Sequence, residues 1–343
     1  MTVRSMLGRT SPLWLGIAIS GSLLAILIIV ETLFDRWGGI RIGGEIDPFA
    51  RVSTGVLRDV RIAIVHCLLI GYLPAAFLHV LRSGRRTVLV LQGALSCTRE
   101  ECETLAATVR LSTRWLLITG LFGVILGLLT PYMSPPVPPS VWNPSTWSVE
   151  VIWHRILGPL VMVWMWWLGY SVVTVSARLS RLARKLQHIN LLDLSALAPF
   201  TRLGLTNGLL VIGVLSIASL MLIETGLGAT ALLVGGPTFV VAVLSLLLPV
   251  RGVHQRIRQS KDDEIRRMND AIARHRGDFD SPGASQRTGM MADMIAYRGL
   301  IDDVPEWPFT TSTYMRLIFY MLIPVASWGL GIIAEVILGR IFL

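Results

Sequence analysis

Seven apolar runs separated by shorter polar connectors dominate the chain: residues 13–33, 62–81, 115–130, 151–177, 205–224, 229–250 and 313–341. Each is near the roughly 20 residues a helix needs to cross the hydrocarbon core of a bilayer. The pattern breaks once, at residues 251–312, the only long polar stretch. There Ile257, Ile265, Met268 and Ile272 lie along one side of a helix expected over 253–276, with charges of both signs beside them. Gly, Ser and Asp crowd 277–289 and predict a turn or loose loop. Residues 290–301 read as a returning helix, stopped by Pro305 and Pro308. The fold class expected is therefore all-α and polytopic: about seven transmembrane helices plus a cytoplasmic helical hairpin packed through those four side chains. Residues 1–250 form the membrane domain, 251–312 the hairpin, and 313–343 a last span packing with the membrane domain.

Smaller signals refine the connectors. Thr98-Arg99-Glu100-Glu101 matches a capping box. Leu105, Val109 and Ser112 follow at helical spacing and predict a short helix running into the third span. Residues 178–186 carry an apolar stripe against a basic face, suited to an anionic membrane surface or to a solvated helix end. The connector 34–59 reads as a polar surface loop. The connector 131–150 holds prolines at 131, 135, 136, 138, 139 and 144 with Trp142 and Trp147, an extended segment at headgroup level. Gly235-Gly236-Pro237 falls six residues into the sixth run. It reads either as a break in a membrane helix, of the kind that forms ion sites, or as the first helical residues after an outer loop.

Composition agrees with this pattern. Hydrophobic residues make up 53% and charged residues 15% of 343 residues, and mean hydropathy is +0.62. Soluble chains carry about 25% charged residues. The net charge of +9 does not point to nucleic acid. Residues 251–312 are balanced, with 10 Lys or Arg and 10 Asp or Glu. The excess of positive charge elsewhere orients the spans. The connector 131–150 has no Lys or Arg and belongs outside. Alternation then places 24 of the 31 Lys and Arg inside and 7 outside, with the N-terminus cytoplasmic and the C-terminus outside, in a membrane of the bacterial inner-membrane type. The first run exceeds the roughly 7–15 residues of a signal-peptide core and no small-residue cleavage site follows, so it reads as an uncleaved span. Cys67, Cys97 and Cys102 are odd in number and none is placed outside, which argues against structural disulfides.

No nucleotide loop, metalloprotease motif or nucleophile elbow occurs, so no enzyme, cofactor or metal is expected; a membrane-embedded enzyme ranks third. Ionisable residues in or beside spans are the usual pointers to function. Here Glu31, His66, Glu150, His154, Glu224 and Glu335 fall toward the outer ends. Four glutamates on four spans suit an acidic mouth that concentrates cations, or plain interfacial caps. Gly235, Gly236 and Pro237 join them as pathway candidates. His66 beside Cys67 is a weak metal hint. Gly123–Gly127 and Gly204–Gly208 have the GxxxG spacing of close helix packing. Seven spans with a cytoplasmic hairpin before the last resemble insect chemoreceptor-type channels in layout, without a shared motif. The leading expectation is a passage for ions or small solutes, homo-oligomeric in the lipid bilayer. The competing one is a non-enzymatic scaffold or signalling subunit that docks a cytoplasmic protein on the hairpin.

Overall fold

A computed structural model describes residues 11–33, 36–37, 40–41, 54–95, 97–107, 111–130, 149–184, 186, 189–222, 229–276 and 284–308, and intermittent residues from 312 to 333. The architecture is all-α, apart from one two-residue ladder. The helices are α1 (Pro12–Leu33), α2 (Thr54–Val90), α3 (Gln92–Leu95), α4 (Arg99–Ala107), α5 (Thr113–Leu129), α6 (Val149–Ala183), α7 (Ala198–Ser219), α8 (Ala229–Arg276) and α9 (Ala284–Asp302). Among the described residues five helices are long and apolar enough to cross a membrane, and α5 is a shorter apolar helix. Described residues between 312 and 333 are helical too.

Four long helices form a ring. α2 packs on α6, α6 on α8, α8 on α7, and α7 back on α2. α1 lies outside α2, and α5 lies outside α6. The core runs through the ring and holds Leu73, Val80, Val172, Leu179, Phe200 and Ile212. Away from it the helices are greasy outside: Ile17 and Ile28 on α1, Leu117 and Leu121 on α5, and Phe239 and Val240 on α8 are exposed. Exposed apolar side chains around a buried core suit a solvent of lipid, where burial from water is not what drives helices together.

Glycines supply the close approaches. On α5, Gly120, Gly123 and Gly127 are buried. A Cβ on Gly123 would lie 2.7 Å from the Val163 Cα, and one on Gly127 would overlap the Pro159 Cα. Backbone contact of this kind is what small-residue spacing permits. Gly204 faces Leu246 on α8 in the same way, with Gly208 beside Ser245. Both GxxxG matches therefore act within the chain.

Several expectations change. The helix at Arg99 ends at Ala107, and α5 starts afresh after Ser112, whose extended backbone interrupts helical continuity. The capping box is present: the Thr98 amide donates to Glu101 Oε2 at 2.8 Å and the Glu101 amide to Thr98 Oγ1 at 3.3 Å. That turn brings the Cys97 and Cys102 Cα atoms to 6.0 Å, and the two are paired as a disulfide, contrary to the reading from cysteine count. Only local folding across the cap makes the pair, so counting sides of a membrane missed it. The connector after α1 is not plain loop. Arg36–Trp37 pairs antiparallel with Ile40–Arg41, and α2 begins at Thr54. α7 begins at Ala198, after Asp193 caps a 3-10 turn at Leu194–Leu197. The Ser195 amide holds the Asp193 carboxyl below its usual range.

The largest change concerns the sixth run. α8 is one helix of 48 residues that passes through Gly235-Gly236-Pro237, Pro249 and the limit at Val250 without interruption. The break and the fresh helical start at Pro237 are both corrected. A proline forfeits one backbone hydrogen bond, which the preceding and following turns tolerate when packing holds the helix. Beyond the ring, α8 meets α9. Ile257 and Ile301 are fully buried, while Ile265 is partly buried against the core. Met268 and Ile272 are half-buried. Lys261 Nζ caps the chain after α9, donating to the Asp302 and Val304 carbonyls. His254 stacks on Trp307 with ring centroids 4.2 Å apart. Arg256 Nε donates to the Leu186 carbonyl at 2.7 Å, tying α8 to the end of α6.

Candidate functional site

His66 and His154 were separate candidates on two spans, 88 residues apart. The fold brings them together where α2 crosses α6. His66 is 3% exposed. Its Nδ1 donates to the Ile62 carbonyl one turn earlier, at 2.7 Å. A donating Nδ1 leaves Nε2 as acceptor, and His154 Nδ1 donates to it at 3.0 Å. The rings meet edge to face, with centroids 4.7 Å apart. These partners assign the tautomers. His154 Nε2 is then the pair's remaining basic nitrogen.

The surroundings explain why the pair persists. Leu27 of α1 packs with Ala63 and Cys67 of α2, and Trp153 of α6 closes against them. This small cluster fixes the α1–α2–α6 corner next to His154. A neutral hydrogen bond is worth about 1 kcal/mol net, but an unsatisfied buried nitrogen costs about 1–3 kcal/mol. Each ring therefore needs the other. Chemically the pair is a two-imidazole chain that ends on a carbonyl. It can take one proton at His154 Nε2 and share the charge across two rings. Among the described residues no group of three His, Cys, Asp or Glu side chains converges, so the weak metal hint at His66-Cys67 gains no third ligand.

The other candidates are not gathered here by the described geometry. Glu31 lies in the last turn of α1 and Glu150 in the first turn of α6, but their side chains lie outside the described residues, as do Glu224 and Glu335 entirely. Gly235, Gly236 and Pro237 sit inside α8, with Gly236 and Pro237 exposed. Arg316, on the last run, is exposed.

A second polar point was missed from sequence. Ser176 of α6 and Asn207 of α7 meet across the ring's diagonal, with Asn207 Nδ2 donating to Ser176 Oγ at 3.4 Å. Both are fully buried, as is Ser245 of α8, whose hydroxyl donates to the Ala242 carbonyl. Asn207 Oδ1 has no partner among the described residues. The signal lay inside Gly204-Leu-Thr-Asn-Gly208, where an asparagine between two packing glycines is held in the interior. No protein-family profile, curated protein or solved structure matches the chain.

Proposed function

We propose that the chain is a homo-oligomeric passage for protons or small cations, built from seven spans in a membrane of the bacterial inner-membrane type. In this reading the N-terminus and the α8–α9 hairpin are cytoplasmic, and the His66–His154 end faces outside. One observation carries it: two histidines from different spans are hydrogen-bonded to each other inside an apolar bundle. Ionisable groups are costly in a membrane interior and are kept there mainly along ion or proton routes. Asn207 and Ser176 supply a second polar step between α6 and α7. Glu150, four residues before His154 in the first turn of α6, would raise the local cation concentration at the mouth.

The test is flux in proteoliposomes loaded with a pH-sensitive dye. Wild type should conduct. His154→Gln and His66→Gln, each checked for unchanged thermal unfolding, should lower the rate by at least about tenfold, the factor that 1.4 kcal/mol represents. Gln keeps a donor and an acceptor, so packing survives while protonation is lost. Equal rates in both variants would remove the histidines from the path.

One observation favours a second reading, a scaffold or signalling subunit. α9 turns Ile301 and Tyr297 toward α8 but leaves Met290, Ile295 and Leu300 exposed. A soluble partner docking there needs such an apolar patch. Under this reading wild type shows no flux, and Ile295→Asp abolishes partner capture without altering the spans.

A further inference from the structure

A cavity of about 500 Å³ runs between α5 and α8, with α6 as its floor. Its origin is simple. The glycine face of α5 is pressed onto α6, and among the described elements α6 is its one extensive neighbour. The adjacent face of α5, carrying Trp115, Thr119, Leu126 and Thr130, therefore stands apart from Pro237 and Val241 of α8. The inner end reaches Leu73 and Val211, both buried. Polar groups are few, and the two α5 threonines are occupied: Thr119 donates to Trp115 O and Thr130 to Gly127 O. Such a wall offers hydrocarbon a surface and offers a polar solute little.

Dimensions decide the occupant. From Trp115 to Thr130 is roughly 22 Å along a helix at 1.5 Å per residue. Over that length a helix with side chains, about 10–12 Å across, fills roughly 1,700–2,500 Å³. The cavity holds far less, so a span of a second copy does not fit inside it. One extended hydrocarbon chain fits. The flank points to the source: Phe122 of α5, edge to face with the lining Trp166, is exposed and apolar, as a surface that continues outward into the bilayer would be. Phospholipid chains are the abundant hydrocarbon there. Arg114, exposed at the Trp115 end, stands where a headgroup phosphate would lie.

We propose that this groove is a binding site for one acyl chain of a bilayer phospholipid, lying along α5. The site is separate from the histidine pair and does not depend on the passage reading. The experiment titrates delipidated full-length protein in detergent with a phospholipid carrying brominated chains and follows tryptophan fluorescence, since Trp115 and Trp166 both line the groove. Wild type should show saturable quenching at one lipid per protomer. Gly169→Leu fills the groove from α6, where a Cβ meets Val241 only at an ordinary 3.7 Å. Thr119→Phe fills it from the opposite wall. Both variants should unfold at the wild-type temperature and bind at least about tenfold more weakly. Undiminished binding in either stably folded variant would overturn the proposal. So would the absence of a saturable phase in wild type, or saturable binding of a brominated free fatty acid without binding of the phospholipid. If one filling variant misfolds, the other decides.

Discussion

At the residue scale, the chain shows how much depends on which side chains meet. His66 and His154 are ordinary span histidines until α2 and α6 cross; then each satisfies a nitrogen of the other. The cysteines make the same point in the opposite direction. Cys67 is buried and free, whereas Cys97 and Cys102 are joined across the Thr98 cap. Alkylation in denaturant without reductant should therefore label one cysteine, Cys67, and after reduction all three. Intact-protein mass spectrometry reads the difference directly. Three labels before reduction would show that Cys97 and Cys102 are thiols. The capping box was legible in sequence because its parts are four consecutive residues. The disulfide and the histidine pair were not, because cysteine counting and span-by-span reading ignore how turns and crossings place side chains.

At the element scale, close packing and helix continuity can be tested with the same substitution. Gly127 is pressed against Pro159, so Gly127→Ala must push α5 off α6 and should cost about 1–3 kcal/mol, as overpacking does. Gly236 meets nothing within 4 Å and sits inside α8. Gly236→Ala should stabilise by about 0.5–1 kcal/mol, since alanine loses less backbone entropy on entering a helix. Thermal unfolding in detergent compares the two. A destabilising Gly236→Ala would argue that the helix does not run through Gly235-Gly236-Pro237. The GxxxG spacing was visible in sequence and so was the apolar stretch of α8. The continuity of α8 across Val250 was not, because a composition change from apolar to charged looks like a domain boundary even when backbone hydrogen bonds simply carry on.

At the scale of the whole molecule, orientation is the property to settle first, because the passage reading depends on it. In a background with Cys67, Cys97 and Cys102 replaced by Ser, Ser140→Cys should react with a membrane-impermeant maleimide added to intact cells. Ser285→Cys should react only after permeabilisation. The opposite pattern would invert the arrangement and turn the His66–His154 end toward the cytoplasm. The motive is the absence of Lys and Arg from 131–150 and their abundance in the neighbouring connectors.

What the sequence determined by itself is the apolar character of the long helices and the local shape. Apolar runs of bilayer length, the charge asymmetry between connectors, the cap at Thr98 and the glycine spacing are all set by residues close together in the chain, where helix geometry leaves few choices. What only the tertiary structure decided is which spans are neighbours. The α2–α6–α8–α7 ring, the histidine pair at one crossing, Asn207 against Ser176 on the diagonal, and the groove beside α5 all join residues that lie far apart in sequence. Every span is apolar enough to pack against any other, so hydrophobicity cannot choose among pairings in a membrane. The choice falls to shape, glycine against backbone, and to the few buried polar groups that must find one another.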